Sequence, residues 1–285
     1  MVTTEPTAWS DDLLKNPHAV ADKRRRVQQM FAAIAPSYDL NNRVHSLWRD
    51  QAWRRKAVKL AQLKPSDAVI DMACGTGDLT IAFFEQLLLL NGGRPGRFYA
   101  RSNPWGRRLQ PVVGIDFTFE MLPIARQKAS RYNFVWPDKK SSTVFIDKGF
   151  AYINGDAQSL PLPDACCDVV SIAFGIRNVA DPLAAMREFK RILRPGGRLI
   201  ILEFSLPTNP ILLAMYNFYF RKILPRTATL ISGDKTGAYK YLPESVNTFI
   251  GREQMMGMMT TAGFTSVEQF PMTFGVCVCY RGLVQ

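Results

Sequence analysis

Three apolar runs in this chain each lead to a carboxylate, and a glycine turn follows the first. Val69-Ile70-Asp71-Met72 passes through Ala73-Cys74-Gly75-Thr76-Gly77 into Asp78-Leu79. This reads as a strand closing on Asp71 and turning through Gly75 and Gly77 into a helix. Such a turn brings backbone N–H groups and a helix N-terminus against a ligand lying across the strand ends. The second run, 111–116, ends on Asp116, whose carboxylate could accept both hydroxyls of a ribose. The third, 150–154, precedes Asp156-Ala157, placed to meet an adenine edge. A dinucleotide fingerprint needs G-x-G-x-x-G, and the segment 73–77 lacks that spacing. For one motif alone, glycines that merely tighten a corner would explain the pattern. Acids at three successive strand ends argue instead for a nucleoside-like ligand.

These residues need a frame that brings strand ends together. Strand-like runs at 68–72, 111–116, 150–154, 168–174 and 198–204 alternate with helical patterns at 79–90, 119–130 and 183–193. That rhythm predicts a parallel sheet covered on both faces, with the ligand outside the carboxyl ends of its strands. A helix at 252–262 and strands at 266–270 and 275–280 complete a seven-stranded sheet whose last strand is antiparallel. Ahead of the sheet, helices are expected at 22–34, interrupted by Pro36, and at 47–63, with Tyr38-Asp39-Leu40-Asn41-Asn42 as a loop or helix start. The expected organisation is a helical extension or lid over 1–60 and one domain over 61–285. Segments 91–110, with five arginines, and 131–149, mixed and polar, read as insertions that spare the core.

A chain of 285 residues, 47% hydrophobic, can bury one large core or one core plus a helical appendage. The net charge of +12 points to an anionic neighbour, or equally to a solvated basic surface. Five cysteines without a C-x-x-C pair, and two histidines far from them, do not make a zinc site, and no metal is expected. Their apolar settings read as reduced thiols, with Cys277 and Cys279 on one face of a strand. No run approaches the ~20 apolar residues of a membrane span, so the expected location is the cytoplasm, at most peripheral on the inner face of a membrane.

Further blocks narrow the chemistry. Tyr38 to Asn42 followed by Trp53 resembles a Y-D-x-M-N…W block, and Asp71 to Leu79 resembles D-x-A-G-G-T-G-D-L. Phe174-Gly175-Ile176-Arg177-Asn178-Val179 resembles F-G-[LI]-R-N-V. Arg191 to Arg198 with Leu202-Glu203-Phe204-Ser205 resembles R-V-L-K-P-G-G-R…L-E-F-S, and 239–245 a late Y-x-Y-L-x-E-S block. Together these resemble the ubiquinone/menaquinone biosynthesis C-methyltransferase family of class I S-adenosylmethionine-dependent methyltransferases, over about residues 30–282. The P-G-G turn is common to many methyltransferases; F-G-I-R-N and L-E-F-S are far more specific. Asn41 and Cys74 stand where the family has methionine and glycine, and His45 and Asp50 where an aliphatic residue and a histidine are usual.

The resemblance implies a Rossmann-like α/β fold, S-adenosylmethionine as methyl donor, and transfer to a ring carbon of a polyprenyl quinol, benzoquinol or naphthoquinol. It implies cofactor contacts from Thr76, Asp116, Asp156 and Ala157, to which the strand-end and turn reading adds Asp71, Gly75 and Gly77. Beyond the quinol it allows an anionic membrane surface and a homodimer as partners, and no nucleic acid. Methyl transfer is an in-line displacement that needs alignment and a dry site. Arg177, just past the fourth strand end, is the candidate catalytic group. A guanidinium keeps its protons, so it would stabilise the developing quinolate or orient a water, unless it is only an ion pair or a helix cap. Tyr38 would close over the cofactor, or pack at a helix start. His45 beside helical aromatics reads as packing. The aromatic segment 216–224, with Arg221 and Lys222, fits an isoprenoid groove with a basic rim, or plain core packing. A methyltransferase of another lipid-like molecule, an RNA-binding methylase and a non-catalytic scaffold are the competing readings. No Asn/Asp-Pro-Pro-aromatic motif or appended RNA module favours the second.

Overall fold

In a computed structural model, which describes residues 9–92, 111–132, 144–147, 150–234 and 236–285, eight strands form one sheet. In chain order they are β1 Val69–Met72, β2 Val112–Asp116, β3 Val144–Asp147, β4 Phe150–Asn154, β5 Cys167–Ala173, β6 Leu193–Phe204, β7 Thr265–Met272 and β8 Cys277–Leu283. Their spatial order is β3-β4-β2-β1-β5-β6-β8-β7. Strands β4, β2, β1, β5 and β6 run parallel, and β8 is antiparallel to both β6 and β7. The expected seven-stranded arrangement is therefore present. Strand β3, inside the polar insertion at 131–149, adds an antiparallel edge to β4 that sequence reading did not anticipate. The arginine-rich insertion lies outside the described residues from 93 to 110.

The ten helices among the described residues are α1 Lys23–Ile34, α2 Tyr38–Ser46, α3 Arg49–Leu60, α4 Asp78–Leu90, α5 Met121–Ala129, α6 Pro182–Ile192, α7 Pro210–Phe218, α8 Leu224–Ser232, α9 Ala238–Asn247 and α10 Arg252–Thr261. The parallel strands are buried on both faces, which explains why β1 and β2 are apolar at almost every position. One face packs Phe189, Met259 and Phe264 against the sheet; the other packs Phe84, Leu87 and Trp53. Cys277 and Cys279 share that second face with Ala57 of α3.

Two expectations are refined here. The turn at 194–197 is looped out within β6, whose pairing passes from Cys167–Leu193 to Val169–Arg198, with Gly196 in the left-handed region. The helix expected over 47–63 begins only at Arg49, because Leu47 and Trp48 both adopt positive φ, 50° and 59°. Within the 1–60 extension, α3 carries Trp53, Ala57 and Val58 into the core of the sheet.

Above the carboxyl ends sits a third core. It unites Trp9, Val27, Met30 and Ile34 from the N-terminal segment with Tyr216, Phe220, Leu224 and Tyr241 from the excursion between β6 and α10. Trp9 stacks on Tyr241 at 4.4 Å. The cap is thus made of two distant stretches of sequence, each of which lays an apolar face on the other, with Phe204 of β6 packed against them.

Candidate active site

Strand β1 lies between β2 and β5, where the chain reverses its direction of travel across the sheet. A crevice opens at this switch point, as doubly wound sheets require. The loop after β1 bends at Ala73 and Gly75, φ 49° and 54°, and enters α4 through Gly77 at φ 84°. At Gly77 a Cβ would come within 3.0 Å of both Ala125 Cβ and Tyr152 Oη. Glycine there allows both the turn and the close approach of α5 and β4.

Asp116 and Gly75 line this cleft together, and they are joined. The Gly75 N–H donates to Asp116 Oδ2 at 2.7 Å, and the Thr118 N–H to Oδ1 at 2.7 Å. The Thr118 side chain also hydrogen-bonds to this carboxylate, which still keeps acceptor capacity toward the cleft, as a sugar hydroxyl requires. Burial pushes the Asp116 carboxyl up to about 6, against the backbone hydrogen bonds that favour the ion. Asp156 and Ala157 line the same cleft. The Asp156 carboxylate accepts from the Gln158 N–H at 3.0 Å and pairs with Arg24 at 3.1 Å. Arg24 also lies 4.4 Å above the Phe117 ring. Sequence reading missed Arg24, Phe117 and Met121 as cleft residues. Arg24 stands in a run of four cations with nothing local to separate it from its neighbours, and only the fold turns it toward Asp156.

Asp71, Thr76 and Gly77 stand behind this wall rather than on it. Asp71 is fully buried, accepting from Thr80 Oγ1 at 2.6 Å and Ser171 Oγ at 2.7 Å, and burial raises its carboxyl to about 6. It ties β1 to β5 and α4. Thr76 donates to Asp39 Oδ1 at 2.6 Å and accepts from Lys128 Nζ at 2.9 Å. Cys74 turns into the core against Gly114, where a Cβ would meet its Sγ at 2.9 Å. Burial raises that thiol well above its ordinary range.

Thr76 belongs to a charged chain that fastens α2 across the loop. Lys128 Nζ reaches Asp39 at 2.6 Å and Asp78 at 2.7 Å. Arg43 reaches Asp78 at 2.6 Å and also pairs with Asp50, which Arg54 holds at 2.7 Å. Burial would raise the Asp78 carboxyl, but Arg54 and Lys128 outweigh it and hold it at about 2.

A second cavity of about 420 Å³ lies beyond the cleft. Phe31, Tyr38 and Phe174 line both spaces and form the wall between them. Tyr38 is edge-on to Phe31 at 6.0 Å, and burial raises its phenol above the usual range. The far side of the chamber is mostly apolar, with Trp53, Phe204, Phe220 and Leu224. Arg177 lines it and is buried. Its Nη1 donates to Glu203 Oε1 at 2.5 Å and to the Phe174 carbonyl at 2.8 Å. Its own backbone carbonyl accepts from Lys23 Nζ at 2.8 Å, so α1 is pinned onto this loop. Glu203 went unnoticed in the sequence as the partner of Arg177. His45 also lines the chamber, with Nδ1 3.0 Å from the Tyr219 hydroxyl and Nε2 buried without a partner among the described residues. Burial lowers its pKa, which favours the neutral imidazole.

Comparison with known proteins narrows this geometry. A Thermotoga maritima S-adenosylmethionine-dependent methyltransferase superposes with a TM-score of 0.54 over 91% of this chain and 100% of its own, at 19% identity. The cyclase SpnF also reaches 0.54, at 17% identity, covering 86% of this chain and 75% of its own, so the fold alone does not specify methyl transfer. Sequence similarity is much closer. A demethylmenaquinone methyltransferase of Thermus thermophilus is 41% identical over 89% of this chain and 99% of its own length. A ubiquinone/menaquinone biosynthesis C-methyltransferase of a Geobacter species is 37% identical over 93% and 99%. Residues 19–284 match the ubiE/COQ5 methyltransferase family across sheet and cap alike, and the chain belongs to that family.

Proposed function

We propose that this protein is an S-adenosylmethionine-dependent C-methyltransferase that acts on a ring carbon of a polyprenyl quinol, demethylmenaquinol or 2-polyprenyl-6-methoxy-1,4-benzoquinol. It works against a membrane surface, where such tails reside. The observation that carries this reading is the shared aromatic wall: a polar cleft and an apolar chamber separated only by Phe31, Tyr38 and Phe174. A methyl donor on one side and a hydrophobic ring on the other would meet there.

S-adenosylmethionine supplies a methyl carbon on a sulfonium, the electrophile of an in-line displacement. Asp116 would hold the ribose hydroxyls through the acceptor capacity its carboxylate keeps toward the cleft. Asp156 and Ala157 flank the adenine, and Gly75 lets the backbone approach. Asp71, Thr76 and Gly77 keep the loop in shape from behind. Tyr38 closes the wall and excludes water. A water would take the ring-hydroxyl proton, leaving charge on the quinol oxygen. That charge would flow to the ring carbon as it takes the methyl and the donor's S–CH3 bond breaks to a neutral thioether. Loss of the ring C–H proton to water would restore the aromatic quinol. Arg177 stabilises that charge: Nη1 is committed to Glu203 and the Phe174 carbonyl, and no hydrogen bond to a described residue uses Nη2. Glu203 keeps the guanidinium oriented.

The test is purified protein with S-adenosylmethionine and each demethylated quinol, read by product mass. Gain of one methyl on either ring is expected, and no gain on either overturns the reading. Arg177→Lys keeps the charge but loses the planar fork. Turnover is expected to fall roughly 100-fold with cofactor affinity unchanged; near wild-type turnover would remove Arg177 from the mechanism.

A further inference from the structure

From α7 into α8 the chain runs as one helical rod with a π turn, Tyr219–Ile223, between them. Its inner face, Tyr216, Phe220, Leu224 and Ala228, is buried in the cap. Its outer face exposes Ile211, Met215, Phe218, Ile223 and Leu230, the last at 86%. The spacings are four, three, five and seven. An uninterrupted α-helix would swing the last two residues off the stripe, and the wider π turn absorbs the extra residue. Pro225, one residue past Leu224 at the end of this turn, cannot donate to a regular i−4 bond. One apolar stripe therefore runs the whole rod, roughly 33 Å at 1.5 Å per residue.

Two strained turns place more apolar surface beside the chamber. Leu47 and Trp48, both at positive φ, are 79% and 62% exposed, and Leu47 itself lines the chamber, marking its mouth. Phe274, at φ 56°, is 81% exposed beside Thr273, another lining residue. Bulky residues seldom hold positive φ while exposed without a reason for it. The α2 end abuts the rod: His45 meets the Tyr219 hydroxyl at 3.0 Å. Charge on this face is mostly positive, although Arg221 pairs with Glu244 at 2.9 Å. Residues 205–233 contain no Asp or Glu but carry Arg221, Lys222 and Arg226, all exposed, and Arg49 is exposed at the mouth.

We infer that this face, the outer side of α7–α8 with the Leu47-Trp48 and Thr273-Phe274 turns, docks on an anionic lipid bilayer, so that the chamber mouth opens into the acyl region. The inference rests on the lipid-quinol reading above and names the surface it uses. A long apolar stripe flanked by cations, on a rod without acids, is the pattern of a helix lying in a membrane interface. A second copy of this chain fits less well, since it would bring cationic face against cationic face. The apolar patch also surrounds an entrance rather than lying apart from one. A prenyl tail could then slide from the bilayer into the chamber without crossing water.

The test uses full-length protein and needs no substrate in its first arm. Vesicles of phosphatidylcholine, alone or with 30% phosphatidylglycerol, are sedimented with wild type and with the triple variant Met215→Glu, Phe218→Glu, Leu230→Glu. Expected is binding to the anionic vesicles that weakens with salt and falls at least tenfold in the variant. In the second arm the variant loses about tenfold in turnover on a long-tailed quinol embedded in vesicles. It keeps turnover within about twofold on a short-tailed, water-soluble quinol, which also shows that it folds. Absence of wild-type binding to anionic vesicles overturns the inference. So does undiminished binding by the variant, or a wild-type dimer that the variant converts to monomer while vesicle binding stays the same. If neither enzyme methylates any quinol while the vesicle arm behaves as expected, the substrate reading fails and the docking face stands.

Discussion

On the proposed reading, Asp116 is the residue on which cofactor binding turns. Its carboxyl lies at about 6 because burial disfavours the ion, yet the ion is what accepts two hydroxyls. Cofactor affinity should therefore fall about tenfold between pH 7.5 and pH 5, and titration calorimetry would show it. Asp116→Asn should bind 10- to 100-fold more weakly, with little pH dependence in that window. Folding responds with the opposite sign. The folded pKa lies above the unfolded value of 3.8, so the native protein holds more protons between about 4 and 6. That contribution is present at acid pH and is lost as pH rises through 6. Relative to Asp116→Asn, the unliganded wild type should gain on the order of 1 kcal/mol at pH 5 over pH 7.5 in urea unfolding. A profile parallel to that of the variant would mean the carboxyl is not buried as described. Glu203 answers to a different cost. Both it and Arg177 are buried, so Glu203→Gln leaves a cation without its counter-charge and should destabilise by about 3 kcal/mol. An unchanged urea midpoint would show that the pair does not hold the loop.

At the scale of elements, the β1–α4 loop is held by backbone geometry and close packing. Gly77→Ala would force a Cβ into φ 84° and within 3.0 Å of Ala125 and Tyr152, a loss of about 1–3 kcal/mol that thermal melts would register. The fastening of α2 is looser, because it consists of side-chain charges. Asp39→Asn removes the Lys128 ion pair while Lys128–Asp78 remains. Amide exchange over 38–46 should then rise about tenfold, with β1 and β5 unchanged. Legibility differs along the same line. The strands were readable because burial on both faces makes them continuous apolar runs, and the loop because its glycines must meet a backbone condition. Asp71 was legible as important, but its place behind the wall was not, since hydroxyls 9 and 100 residues away occupy its oxygens. The late start of α3 was invisible because helix-forming residues, Leu47 and Trp48, occupy a left-handed corner. Strand β3 is short and lies in a polar stretch, with no period strong enough to announce it.

The whole molecule is a rigid sheet bearing a cap sewn from two remote segments. The sheet cores are backed by strand pairing, whereas the cap is held by side-chain contacts such as Trp9 with Tyr241, 232 residues apart. Cooperative opening should begin in the cap. Trp9→Ala is expected to bring the exchange protection of α1, α8 and α9 well below that of β1, β5 and β6; uniform loss across sheet and cap would contradict two separable cores. Such an architecture could not be read from local patterns, because both halves of the cap look like ordinary amphipathic segments until they meet. The wall of Phe31, Tyr38 and Phe174 has a kinetic consequence. On the proposed reading the two reactants meet at this wall but enter by separate doors, one beside Arg24 and Asp156, the other at Leu47. Neither has to leave for the other to be exchanged. Spent donor can return to water while the lipid stays, and a new lipid can arrive over a donor already seated, so the ternary complex assembles in either order.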